Sequence, residues 1–229
     1  MKKLLLTTVC ALGVLTVSAQ RASSTSTSFF STEKADQGIT FGLRTGLNFA
    51  TMTGDVDEDC SRRTTYHVGV VADIPLMQSL YIQTGLYLQN KGIKLDYEED
   101  GWYEKNSVNP MYIQIPILAS YRYDFNDALQ LQVNFGPYFA YGIGGKEKEE
   151  YGYDGHTEEK EEYDLFGDEG AYKNFDCGLQ IGAGITFASH YYFGFTYEFG
   201  LANIAKNEFD NEDNKLKNSN FMLSVGYNF

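Results

Sequence analysis

The run Leu129-Gln130-Leu131-Gln132-Val133-Asn134-Phe135-Gly136 decides the fold. Each odd position is large and apolar, and each even position is small or polar. Successive side chains of a strand point to opposite faces, so this run has one apolar and one polar face. The pattern extends over Ala128–Ile143 and recurs in seven other segments: Ile39–Ala50, Tyr66–Ile74, Leu80–Lys91, Met111–Tyr123, Asn174–Ala188, Tyr191–Ile204 and Asn220–Phe229. Alternation this regular predicts eight strands.

The connections alternate in length. Pro75–Ser79, Asp124–Asp127 and Ser189–His190 are short, whereas Thr51–Thr65, Gly92–Pro110, Gly144–Lys173 and Ala205–Ser219 are long. Strands that run up and down through a membrane leave tight turns on one side and long loops on the other. The polar face holds Gly, Gln, Asn and Tyr with a few charges. The other face is Leu, Ile, Val and Phe, with aromatics near its ends (Phe41, Tyr121, Phe187, Tyr191, Tyr227, Phe229). A soluble barrel would put its apolar face inside. Eight strands enclose only enough room for side chains, and the repeated Gly makes space there for Tyr, Gln and Arg. The reading is an all-β, eight-stranded antiparallel up-and-down transmembrane β-barrel over 38–229. Its short turns face the periplasm and its long segments face outward.

The N-terminus reads as a secretory signal over 1–19. Lys2 and Lys3 precede the apolar run Leu4–Val17, and Val17-Ser18-Ala19 supplies the cleavage site. A Ser/Thr-rich lead-in over 20–37 follows. Mean hydropathy is −0.34 and no later stretch is long and apolar enough for a spanning helix, a test blind to strands. Removing Lys2 and Lys3 leaves 16 basic residues against 31 acidic. Such an acidic chain is unsuited to nucleic acid. Cys60 and Cys177 remain, one in a long loop and one facing outward on a strand, and no disulfide is expected.

Several motifs resemble one family. Tyr112-Ile113-Gln114-Ile115-Pro116-Ile117-Leu118, the Gly-rich Gly136-Pro137-Tyr138 and Gly182-Ala183-Gly184, and Tyr197-Glu198-Phe199-Gly200-Leu201-Ala202-Asn203-Ile204 resemble strands of the Bacteroidetes outer-membrane β-barrel or "porin family" proteins, which include PorT-like proteins. The resemblance covers about Gly38 to Phe229. It implies a Gram-negative outer membrane, contact with its lipid, and recognition of the terminal Phe229 by barrel-assembly machinery. It also suggests a bulge at Pro116, since proline inside a strand breaks the usual rule.

The predicted lumen holds Arg44, Asp73, Arg122, Asp176 and Glu198 as a charge network, with His67 beside them. Buried charges must be paired or solvated. Alternation places Arg44 and Glu198 near mid-barrel and Arg122 and Asp73 near the periplasmic rim. If these pair, the lumen is plugged. No Ser stands near a His in a recognisable catalytic order, so neither catalytic nor cofactor-binding residues are expected. Asp55-Val56-Asp57-Glu58-Asp59 begins like a calcium loop, but Cys60 replaces the needed Gly and Tyr66 the needed Glu, so no metal site is expected. The acidic segment 144–173 reads first as a solvated loop keeping the outer face hydrophilic. Its Tyr151, Tyr153, Tyr163 and Phe166 also suit a surface for an extracellular partner or a cation. The reading is a non-enzymatic barrel with a structural or surface-interaction role. The alternatives are a small-solute pore or a PorT-like accessory of protein secretion.

Overall fold

The computed structural model describes residues 38–55, 60–99, 102–153, 156–167, 170–206 and 215–229. The signal and lead-in expected over 1–37, and most of the calcium-like run, lie outside these. Among the described residues ten strands occur in chain order: β1 (Thr40–Gly54), β2 (Cys60–Pro75), β3 (Leu80–Asn90), β4 (Ile93–Glu99), β5 (Trp102–Asn126), β6 (Leu129–Tyr153), β7 (His156–Asp164), β8 (Phe175–Phe187), β9 (Tyr191–Gly200) and β10 (Leu216–Asn228).

Eight of them close a ring. Antiparallel neighbours run β1, β2, β3, β5, β6, β8, β9, β10 and back to β1. Closure leaves none of these eight as a free edge within the barrel wall. The other two strands stand above the ring. β4 continues the line of β3 past Lys91 and Gly92, and pairs with the start of β2 and the start of β5. β7 folds back on the far end of β6.

Side chains alternate as the sequence predicts. Leu43, Leu47, Ile113, Ile115, Val133, Phe135, Phe193 and Phe195 are exposed on the outer wall, while Arg44, Asn48, Gln114, Asn134 and Gln180 are buried inside. The outer wall is thus apolar and the interior polar, the arrangement a lipid solvent selects. Tyr191, Tyr227 and Phe229 make edge contacts at the turn end, with ring centroids 5.7 Å apart in each pair. Inside, glycines give aromatic rings their room. A Cβ at Gly69 would stand 2.6 Å from the Tyr87 ring, and one at Gly178 would stand 2.7 Å from the Tyr138 ring.

Three expectations change. Gly92–Pro110 and Gly144–Lys173 are not open loops. They contain the β4–β5 and β6–β7 hairpins, joined by β5–β6 pairing out to Trp102 and Tyr153. Alternating hydrophobicity fails there because both faces of the sheet are polar, so the strand signal vanishes without the strand. β1 and β2 likewise extend into the expected loop Thr51–Thr65. Finally, Pro116 carries no bulge. The β3–β5 register is the same at Thr84↔Ile117 and Tyr87↔Gln114, and only the pairs between them are missing. The Pro116 carbonyl accepts a hydrogen bond from the Thr84 hydroxyl at 2.8 Å. The β5–β6 register shifts elsewhere, between Met111 and Tyr112, where Ile143 is the extra residue on β6, and between Asp124 and Asn126, where Phe125 is the extra residue on β5.

Three residues join β8 to β9, and the first two, Ala188 and Ser189, have φ of 49° and 64°. His190 N donates to Phe187 O at 3.1 Å. Both central residues sit in the left-handed region, the hairpin turn that favours Asn-Gly. Replacing Ala188→Asn with Ser189→Gly should stabilise the barrel by about 1 kcal/mol, read as a higher urea midpoint in lipid vesicles.

Candidate functional site

The largest ionic cluster of the lumen forms around Lys91, which is only 1% exposed. It leaves β3 with the same parity as Tyr87 and Gln89, so its side chain turns inward. Its Nζ lies 3.2 Å from Glu198 Oε2 and 3.5 Å from Asp176 Oδ2, donates to Gln114 Oε1 at 2.9 Å, and stands 4.4 Å from the Tyr138 ring centre. Two carboxylates share one ammonium. Neutral donors supply the remainder. Glu198 Oε1 accepts from Gln89 at 3.2 Å, Gln114 at 2.5 Å and Gln180 at 2.5 Å, and Oε2 accepts from Asn220 at 3.2 Å. Asp176 Oδ2 accepts from Asn218 at 2.9 Å and from the Tyr138 hydroxyl at 3.3 Å. This cluster draws on β3, β5, β6, β8, β9 and β10.

Arg122 and Asp73 meet nearer the turn end. Arg122 Nη2 lies 2.6 Å from Asp73 Oδ1, its guanidinium stacks 4.3 Å over Tyr81, and Gln83 donates to the same oxygen at 2.8 Å. Arg44 and Glu198 do not meet. Arg44 stands opposite Gly226 and Glu198 opposite Asn220 on β10, a separation of about 20 Å along that strand. Arg44 instead donates to Asn228 Oδ1 at 2.8 Å and lies 4.0 Å over the Tyr192 ring. Lys91, the true partner of Glu198, has the parity that would have revealed it. It closes the strand read over Leu80–Lys91, next to the long segment that begins at Gly92, and is not among the lumen charges read from the sequence.

His67 also differs from expectation. Its Nε2 lies 3.0 Å from Ser224 Oγ, and its Nδ1 lies 2.7 Å from Asn48 Oδ1. Asn48 uses its amide group on the carbonyls of Tyr66 and Asn90, so its oxygen accepts and Nδ1 carries the proton. The sequence reading finds no Ser near a His, because Ser224 lies far from His67 along the chain and only ring closure joins them. The spacing is that of nucleophile, base and orienting group. Space argues for a structural role. Ser224 opens onto a cavity of about 30 Å³, also lined by Arg44, Tyr87, Gln89, Gln180 and Tyr192. That volume suits one or two water molecules and no acyl substrate. Among the described residues no cluster of three or more His, Cys, Asp or Glu could hold a metal.

The hairpin end is closed by an apolar lid. After β7 the chain turns inward, and Leu165 packs with Met52, Val108, Tyr172 and Ile204. Phe166 lies edge-on to Tyr112, ring centroids 5.6 Å apart, directly over the Lys91 layer, and Gly142 leaves the space its ring fills. Tyr172 N donates to Leu165 O, and Ile204 N donates to Leu216 O, at 3.0 and 2.9 Å. Phe166 therefore belongs to the barrel's closure, contrary to its reading as part of an outer contact surface.

The hairpins above the lid are laced on one face. Lys146 and Lys148 donate to Glu162 at 3.0 and 2.7 Å. Those two ammoniums hold the Glu162 carboxyl down at about 2.

The family model described as "Outer membrane protein beta-barrel domain" matches residues 19–206. No curated protein matches the chain. Among solved structures, the chain is similar to Ail, the attachment invasion locus protein of Yersinia pestis, at 14% identity over 84% of this chain and 99% of that one, with a TM-score of 0.40. Neisserial surface protein A is similar at 10% identity over 83% and 97%, with a TM-score of 0.43. OprG from Pseudomonas aeruginosa is similar at 13% identity over 86% and 97%, with a TM-score of 0.42.

Removing one member of a buried ion pair leaves the others uncompensated, so Lys91→Met should cost about 3–5 kcal/mol. A lowered temperature for the heat-modifiable gel shift, together with a lower urea midpoint, would register it. An unchanged midpoint would show that Glu198 and Asp176 do not depend on Lys91. The pH response of the hairpin follows from Glu162. Its folded value lies below the unfolded one, so its contribution is complete above about 4.5, declines as pH falls, and is gone below about 2. A carboxyl titration followed by NMR should place Glu162 well below its neighbours.

Proposed function

This chain belongs to the outer membrane protein β-barrel domain family, and from that premise we propose that it is a closed, non-conducting barrel whose role is structural or interactive, with its hairpins presented outside the cell. It resides in the cell outer membrane, in contact with that membrane's lipid. The observation that carries the proposal is the filled lumen. Lys91, Glu198, Asp176, Arg122, Asp73 and Arg44 lie buried across it, each bonded to partners on other strands or stacked on a ring, and a cavity among the lumen side chains measures about 30 Å³. The lid of Leu165 and Phe166 adds a second closure. Eight-stranded rings characteristically leave no aqueous channel.

The orientation rests on the asymmetry between ends. Short turns such as Ala188–His190 belong on the periplasmic side, and the charged hairpins outside. A small-solute pore would need an open path, and the ionic layers and lid oppose it. An accessory role in protein secretion has only the sequence resemblance to support it. Catalysis is disfavoured because Ser224 and His67 are buried in a space too small for a substrate. An outward role gives the acidic segment 144–173 its meaning, since its β6 and β7 residues pair into a sheet that can be recognised as a shape.

Single-channel recording in a planar bilayer tests this. The refolded mature chain should insert, show the heat-modifiable shift of a folded barrel, and stay silent. Steady conductance steps would reject the closed-lumen reading and put the pore first.

A further inference from the structure

The outer sheet sorts its charges by face. Its register sets Glu104, Tyr151 and Glu159 in one row, Asn106, Glu149 and Glu161 in the next, and Val108, Glu147 and Tyr163 in the third. These rows share a face, because residues directly across a ladder do, and so do residues two apart along a strand. Across β5, β6 and β7 that face bears five glutamates and, among the described side chains, no Lys or Arg; the nearest cation in these rows is Arg62 on β2, reached from Val108 through Ile93. The other face carries Lys105, Lys146, Lys148 and Lys160 among Glu150, Glu162 and Asp164, where acids and bases pair.

On the glutamate face the hydrogen bonds come from neutral groups. Asn106 donates to Glu147 at 3.0 Å and to Glu149 at 3.4 Å, and the Tyr151 hydroxyl donates to Glu149 at 3.3 Å. Tyr163 donates to Glu161. Glu149 and Glu161 stand directly opposite each other, a like-charge pairing that costs stability. Partial burial and the neighbouring Glu147, Glu161 and Glu104 push the Glu149 carboxyl up. Charge of one sign is thus gathered here at a cost, with the half-exposed rings of Tyr151 and Tyr163 between the acids.

The same sheet has an open edge. β7 pairs with β6 on one side, and among the described residues no strand pairs with its other side. Alternate residues of β7 direct both N–H and C=O away from β6. Such an edge is a template for another extended chain, and β7 contains neither Pro nor Gly to blunt it.

We propose that β7 is a strand-addition site for an extended basic segment of a partner protein, whose Lys or Arg residues at alternate positions fall on the glutamate face beside Glu159 and Glu161. The backbone ladder supplies the attachment, and charge supplies the selection: the segment's basic side chains meet carboxylates and tyrosine rings, while the positions between them meet a face already balanced. An acidic strand is repelled from the same edge, and so is a second copy of β7. The inference rests on the reading that a closed barrel presents these hairpins outward.

The test uses the full mature chain refolded in lipid nanodiscs and three labelled peptides: one alternating Lys and Thr, one of the same composition with Lys and Thr in separate blocks, and one alternating Glu and Thr. The alternating basic peptide should bind about ten-fold more tightly than the block peptide, weaken as salt is raised, and slow hydrogen exchange at the amides of β7. Glu159→Gln with Glu161→Gln, both exposed positions, should reduce its affinity about ten-fold while the heat-modifiable shift stays intact. Equal binding of the block peptide would overturn strand addition in favour of diffuse attraction. So would binding without slowed exchange, or saturable binding of calcium alone that abolishes peptide binding. Conductance is recorded on the same refolded chain in a planar bilayer. A silent barrel that binds no peptide removes this inference only, whereas a conducting one removes the reading beneath it.

Discussion

Closure of the ring by β1 against β10 is the constraint on which the rest of this structure depends. The seam runs from Gly42↔Asn228 to Gly54↔Leu216. A sheet with an apolar face toward lipid has no water to satisfy an open edge, so the wall must return to itself. Eight strands fix a narrow bore. Every inward side chain must then find its partner among other inward side chains. The alternation in the sequence follows from the first requirement, and the polar network follows from the second.

The interior solves this problem in layers. Arg122 and Asp73 pair near the turn end, and Arg44 lies on Tyr192. His67 joins Asn48 to Ser224 in the middle. Lys91 sits between Glu198 and Asp176 above them, under the rings of Tyr112, Tyr138 and Phe166. Glutamine and asparagine are the means. Their amide groups bring Glu198 four hydrogen bonds and leave Lys91 to serve both carboxylates. The lid completes the column with apolar contacts where the polar ones end.

How much of this the sequence showed depends on which physical signal each part left. Leu129 to Phe135 announced a two-faced strand, and the eight such segments with alternating gaps announced the barrel. Asp73 and Arg122 were legible as lumen charges near one rim because both sit on regular alternation beside a short turn. The pairing of Glu198 was not, since strand depth depends on register across the whole ring, which no single segment encodes. The hairpins from Ile93 to Asp164 were hidden because Glu and Lys on both faces erase the hydrophobic period while cross-strand pairing persists. Phe166 looked like surface because its neighbours in sequence are acidic, and only the inward turn after β7 explains it. Ser224 and His67 meet through closure alone.

The side chains that cross the lumen also tie together the two sides of the seam. Asn220 on β10 donates to Gln89 on β3, Ser224 on β10 bonds His67 on β2, and Glu198 on β9 bonds Gln89 and Gln114. To part β1 from β10 sideways, these links must break along with the backbone ladder. The wall therefore has no hinge along its closing line. Lateral tension in the surrounding bilayer meets a cross-braced tube, and a lipid tail or a nascent strand finds no slit through which to pass.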